Sequence, residues 1–136
     1  MTQSNERVHP PKPSVLVVED DNAVRRSLQL LLRSRGYDVR AYPTAKLAMG
    51  DPQSLATDCL IADLIMPDGD GIALLHHLRA HDWSGPAMLI SGYLTPEAET
   101  RAHDAGFTAI FKKPLPETVI VSALERMMDG KAPSQS

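Results

Sequence analysis

Short apolar runs alternate with longer segments of helical periodicity along this chain. Residues 14–18, Ser-Val-Leu-Val-Val, end on Glu19-Asp20-Asp21 and read as a strand buried on both faces. Helix signals follow at once. Asp21 or Asn22 supplies a cap. Val24, Leu28, Leu31 and Leu32 share one face, while Arg25, Arg26, Gln29 and Arg33 fall largely on the other, and Gly36 closes the segment. Residues 37–41 read as a second strand. A short helix runs from a Thr44 cap to Met49 and is broken by Gly50-Asp51-Pro52. The third strand, 59–62, is uncharged and ends on Asp63. Met66-Pro67 and the Asp-Gly-Asp-Gly tract 68–71 form a turn after it. A helix over 72–81 carries Ile72, Leu75 and Leu78 at helical spacing. Gly85-Pro86 resets the chain into a fourth strand, 87–90, which ends on Ser91-Gly92. Thr95-Pro96-Glu97 starts a helix that stops at Gly106. A fifth strand, 107–111, ends on Lys112-Lys113-Pro114. A last helix, 116–128, buries Val119, Ala123, Leu124 and Met127.

Strand and helix thus alternate five times. The pattern predicts an α/β fold, a five-stranded parallel sheet covered by helices on both faces and joined by right-handed crossovers. In the doubly wound order 2-1-3-4-5, the switch point lies between strands 1 and 3. Domain organisation follows from composition: a proline-rich, disordered N-terminal tail over 1–13, one domain over 14–128, and a polar tail over 129–136.

In such a sheet, one edge gathers Glu19, Asp20 and Asp63 with Ser91 and Lys113. Carboxylates held about 4 Å apart repel by about 4 kcal/mol per pair at an effective dielectric near 20. A hard divalent cation offsets that repulsion and prefers carboxylates, a carbonyl and phosphate oxygens. Asp63 beside such an ion can act as a nucleophile toward a phosphoryl group. Lys113 and Ser91 can then neutralise and hydrogen-bond the phosphoryl oxygens.

Composition narrows the field. The 136 residues carry a formal charge of -3 and no long basic run, which argues against direct nucleic-acid binding. Cys59 is the only cysteine, so no internal disulfide forms and a reducing compartment is expected. No apolar run spans a membrane and no secretory signal is visible, so the expected location is cytoplasmic. His76 and His77 are adjacent and do not face each other on a helix. Cys59 reads as a small core residue, Trp83 as a packing lid, and Met127-Met128 as helix-end packing.

The residues Val15-Leu16-Val17-Val18-Glu19-Asp20, Asp63 through Gly71, Ile90-Ser91-Gly92 and Lys113-Pro114, in this order and spacing, resemble the receiver domain of two-component response regulators. The resemblance covers about residues 14–128 and implies a flavodoxin-like (βα)5 fold of the stand-alone type. It implies that Asp63 accepts a phosphoryl group from a histidine kinase or histidine phosphotransfer protein. It further implies that Glu19, Asp20, Asp63 and the backbone carbonyl of Ile65 arrange magnesium, or manganese in its place. Ser91 takes the switch role and Lys113 the phosphate-binding role, and the Lys113–Pro114 bond is expected to be cis. The chain is then a phosphoacceptor in signalling or a phosphorelay, catalysing only its own phosphoryl transfer and loss.

One position departs from the family pattern. The family couples the switch hydroxyl to an aromatic residue three positions before the lysine, and Ile110 stands there. Coupling is therefore expected through the loop 91–95, including Gly92, with Tyr93 as the moving aromatic. The apolar side chain of Ile65 suggests slow water-assisted hydrolysis. With only a short tail after Met128, the chain is either a stand-alone receiver or a piece of a longer protein; a stand-alone receiver is expected to act through a protein partner or a phosphorylation-dependent dimer on the helix 4–strand 5–helix 5 face. Two alternatives are a receiver-like interaction module that works unphosphorylated and an aspartyl-nucleophile phosphatase. The intact acids argue against the first. The missing Asp-x-Asp, since Leu64-Ile65 follow Asp63, argues against the second.

Overall fold

A computed structural model describes residues 12–66 and 69–130. Five strands, β1 (Ser14–Val18), β2 (Asp38–Tyr42), β3 (Cys59–Ala62), β4 (Ala87–Ser91) and β5 (Ala109–Lys112), form a parallel sheet in the order β2-β1-β3-β4-β5. The helices are α1 (Asn22–Ser34), α2 (Ala45–Gly50), α3 (Gly71–Ala80), α4 (Pro96–Ala105) and α5 (Glu117–Gly130). The predicted topology is thus observed, with the switch point between β1 and β3. No described helix is long and apolar enough to cross a membrane.

Alternation within the central strands sorts the core into two layers. Leu16, Val18, Leu60 and Leu89 meet α2, α3 and α4 in one cluster that includes Phe107 and Trp83. Val15, Val17, Ile61 and Ile90 meet Leu28 and Leu32 of α1 and Ile120 and Leu124 of α5 in the other. β1, β3 and β4 are buried along their whole length, apart from Ser14 at the start of β1, which is why they read as continuous apolar runs.

Four helix starts are capped by side chains, those of α1, α2 and α4 as the sequence indicates and that of α3 by Asp70, which reads from sequence only as part of a turn. Side-chain oxygens of Asp21, Thr44, Asp70 and Thr95 accept from the backbone N–H of Val24, Leu47, Ala73 and Ala98. Each cap satisfies a donor that the helix itself leaves free. Trp83 is buried, and its Nε1–H donates to the Thr57 carbonyl at 2.7 Å.

Several boundaries differ from expectation. β2 starts at Asp38 instead of residue 37, because the Tyr37 N–H closes the end of α1 on the Leu32 carbonyl. β5 starts at Ala109 instead of residue 107. Gly106 caps α4 in the left-handed region at φ 113, and Phe107 donates back to Ala102 before the strand begins. In α5 the buried face is Ile120, Val121, Ala123 and Leu124, whereas Val119 is exposed; Val24 of α1 likewise sits at an exposed rim. Two features were not anticipated: a 3-10 turn, Pro52–Ala56, capped by Asp51, and a two-residue antiparallel ribbon pairing Ile65–Met66 with Gly69–Asp70. Asp129 and Gly130, assigned from sequence to the tail, belong to α5. The predicted tail over 1–13 falls outside the described residues except for its last two positions. The remaining tail, 131–136, and the turn residues Pro67 and Asp68 also fall outside them.

Candidate functional site

The site is built on the carboxyl ends of β1, β3 and β5. Glu19 lies two residues beyond Val17, and Asp63 two beyond Ile61, so both side chains continue the α1/α5 side of the sheet. The Glu19 backbone is pinned twice: its N–H donates to the Tyr42 carbonyl at 3.1 Å, and its carbonyl accepts from the Arg25 guanidinium at 2.9 Å. The Asp63 N–H donates to the Val18 carbonyl at 3.2 Å. At β5 the Lys113 N–H donates to the Ser91 carbonyl at 2.8 Å, and the following Lys113–Pro114 peptide is cis, as the resemblance implied. These backbone bonds bring the lysine to the acids.

The ammonium of Lys113 bridges two carboxylates, donating to Glu19 Oε1 at 2.7 Å and to Asp63 Oδ2 at 2.8 Å. Both acids are buried, while Asp20 beside them is exposed and has no side-chain partner among the described residues. One oxygen from each of Glu19, Asp20 and Asp63 can be chosen so that all three lie within 4.8 Å of one another. Burial pushes the Glu19 carboxyl above its usual range, and the bonds from Lys113 and from the Asp21 N–H only partly offset this. Burial works to lower the Lys113 ammonium, but the bonds to Asp63 and Glu19 outweigh it, and the net direction is upward. The proton therefore stays on the lysine.

The remaining candidates are less converged. The Ile65 N–H donates to Asp63 Oδ1 at 3.3 Å, and the Ile65 side chain is exposed. Ser91 is buried, but its hydroxyl is spent on its own loop. It accepts from the Tyr93 N–H at 3.1 Å and donates to the Tyr93 carbonyl at 3.3 Å. Gly92 is exposed and Tyr93 is 68% exposed, so its ring lies on the surface. Ile110 pairs with Leu89 and packs toward the α2–α4 layer, while Phe111 packs toward the α1/α5 layer. The two residues thus occupy opposite faces of β5, and Phe111 does not stand in for Ile110.

Two contributors escaped the sequence reading. Arg25 was assigned to a solvated helix face, yet it holds the Glu19 carbonyl and Asn22. Its position in the first turn of α1, six residues after Glu19, was the available signal. Gly71 was read only as part of a turn. A Cβ there would lie 2.4 Å from the Asp63 carbonyl oxygen, so α3 starts against the backbone of the site because residue 71 has no side chain.

Hard oxygen donors of this kind, with one lysine against three acids, fit a divalent cation such as magnesium. Comparison with known proteins agrees with the fold. The family model described as "Response regulator receiver domain" matches residues 15–125. The chain is 31% identical over 113 residues to the transcriptional regulatory protein FixJ of Rhizobium meliloti (strain 1021), covering 83% of this chain and 55% of the relative. It is 34% identical over 102 residues to the KDP operon transcriptional regulatory protein KdpE of Escherichia coli (strain K12), covering 74% and 44%. The chain thus spans about half the length of the curated relatives it matches. Among solved structures, FixJ-N superposes with a TM-score of 0.76 at 29% identity, covering 88% of this chain and 96% of that one. The chemotaxis protein CheY4 of Vibrio cholerae superposes with a TM-score of 0.80 at 23% identity, covering 86% and 99%, which supports the fold alone.

Proposed function

The chain belongs to the response regulator receiver domain family, and from that premise we propose that Asp63 is its phosphoacceptor. An oxygen of the Asp63 carboxylate attacks phosphorus in a phosphohistidine of a histidine kinase or histidine phosphotransfer protein. A P–O bond forms, the P–N bond breaks, and its electron pair returns to the imidazole. The observation that carries this reading is the bridging of Asp63 and Glu19 by one partly exposed ammonium, beside a third acid, Asp20, that has no side-chain partner among the described residues.

Each residue has a distinct task. Glu19, Asp20, Asp63 and the Ile65 carbonyl hold magnesium, or manganese in its place. When bound, this ion supplies neutralisation of the charge on the phosphoryl oxygens. Lys113 remains protonated and follows the negative charge from the Asp63 carboxylate to the phosphoryl group. Ser91 leaves its turn with Tyr93 to donate to a phosphoryl oxygen, and the loop 91–95 moves with it. Ile110 replaces the aromatic partner of that motion, so the change is transmitted through this loop to the α4–β5–α5 face, where a protein partner or a second copy binds. The domain is a signalling element and not an enzyme acting on a separate substrate.

Incubation with acetyl phosphate and magnesium, followed by intact mass measurement, tests the reading. One phosphoryl group is expected on the native chain and none on Asp63→Asn. Equal phosphorylation of the two, or no gain by either, overturns it.

A further inference from the structure

A cavity of about 230 Å³ lies between α1 and α5, beneath the acid cluster. Its floor is Val17, Ile61 and Ile90 from β1, β3 and β4, and its walls include Leu28 of α1 and Ile120 of α5. The reason it stays open is compositional. Aromatic residues are only 4% of the chain. Phe107 and Trp83 belong to the opposite layer, Tyr37 and Phe111 pack into this layer without reaching the cavity, and no aromatic side chain lines it. Medium-sized aliphatic groups cover the sheet here without reaching across to one another.

One end of the cavity is polar. Because side chains alternate along a strand, Glu19 follows Val17 and Asp63 follows Ile61 onto the same face. Glu117, which accepts from the Ser27 hydroxyl at 3.0 Å, and Lys113 complete the ionic lining. Three acids against one lysine leave this end with a net negative charge. An apolar cavity of about 150 Å³ already takes up benzene, so the present one has room for a ring with a short substituent.

We propose that this cavity binds a small apolar molecule carrying one ammonium group, with the apolar body between α1 and α5 and the cation at Glu19 and Glu117. An apolar pocket with a few convergent polar groups is the usual form of a small-molecule site. An anionic head would face the acids, and a neutral one would leave unanswered the part of their charge that Lys113 does not balance. The inference rests on the cavity and its charges and not on phosphoryl transfer. It is read without phosphoryl donor or metal, so either proposal can fail while the other stands.

The test is a ¹H–¹⁵N NMR titration with 2-phenylethylamine, alongside 2-phenylethanol and phenylacetate as the neutral and anionic counterparts. Saturable shifts are expected at Leu28, Ile61 and Ile120, with a dissociation constant of about 1 mM or tighter, as suits a fragment of this size. Phenylacetate should bind about tenfold more weakly, and Glu117→Gln should bring the amine toward the alcohol. Val24→Trp, at a rim position already 38% exposed, should plug the cavity and abolish the shifts. Intermolecular NOEs from the probe ring to the methyl groups of Val17, Leu28 and Ile120 locate it without any variant. Absence of a saturable shift, absence of those NOEs, or equal binding of phenylacetate overturns the proposal.

Discussion

Lys113 and Asp63, each one residue beyond the end of strands separated by β4, meet at 2.8 Å, and the same ammonium reaches Glu19 at 2.7 Å. One side chain therefore bridges two buried acids that the sheet brings together and offsets one of their two charges. Replacing it with an uncharged residue leaves both carboxylates buried against each other.

Lys113→Met is accordingly expected to lower stability by about 1–3 kcal/mol in metal-free urea unfolding, discounted from the cost of breaking a fully buried pair because the lysine is partly exposed. The pH dependence has a definite sign. The folded state raises Lys113 above its ordinary value of 10.5, so it holds the proton more tightly than the unfolded chain does. The contribution is full below 10.5 and is lost as pH rises through the folded value. The advantage of the native chain over Lys113→Met should persist at neutral pH and shrink only in strong alkali. An advantage already gone at pH 8 contradicts the bridge.

Asp20 adds negative charge to the cluster, and among the described residues no side chain pairs with it. Asp20→Asn is expected to raise metal-free stability by about 1 kcal/mol, a surface-attenuated Coulomb term. Added magnesium should stabilise the native chain and leave the variant nearly unchanged. Thermal unfolding with and without magnesium reads both effects. An unaltered magnesium response removes Asp20 from the cation site.

Gly71 and Gly92 make a paired comparison. A Cβ at 71 meets the Asp63 carbonyl oxygen at 2.4 Å and Leu89 Cδ1 at 3.1 Å, whereas at 92 the nearest atom is Lys113 Cβ at 3.9 Å. Gly71→Ala should cost about 2–4 kcal/mol, since the backbone oxygen cannot give way without moving Asp63. Gly92→Ala should change stability by less than about 0.5 kcal/mol. Denaturant unfolding of the two variants distinguishes a specific close approach from a general intolerance of substitution near the site.

The Ser91 hydroxyl and the Tyr93 backbone are joined by two hydrogen bonds, which the proposed switch role of Ser91 requires to break. On addition of beryllofluoride and magnesium, the Tyr93 amide resonance should shift strongly as its acceptor leaves. In Ser91→Ala that amide should already be displaced and respond weakly. A Tyr93 amide that stays in place in the beryllofluoride complex rules out signalling through this loop.

How much of this was legible in the sequence depended on how local the cause was. β1, β3 and β4 were readable because strands buried on both faces must be apolar throughout. Edge strands β2 and β5 slipped by one or two residues, since a capping bond from Tyr37 to Leu32 and another from Phe107 to Ala102 delay each strand. The acids, the lysine and the serine could be placed at one edge from topology alone. The Lys113 bridge, the turned-away Ser91 hydroxyl and the Arg25 clamp on Glu19 could not. The bridge depends on strands distant in sequence, and the other two, though they span only two and six residues, depend on side-chain directions that spacing does not fix. Gly71 illustrates the same limit: its turn role is local, but its reason is the Asp63 backbone eight residues earlier.

Identifying the residue that carries the phosphoryl group tests the central claim most directly. After phosphorylation with acetyl phosphate and magnesium, borohydride reduction converts an aspartyl phosphate to homoserine, and peptide mass spectrometry locates the change. Homoserine is expected at position 63 alone, and absent when magnesium is withheld. Conversion at Asp20 instead, or no conversion at 63 in a chain that has gained a phosphoryl group, contradicts the account.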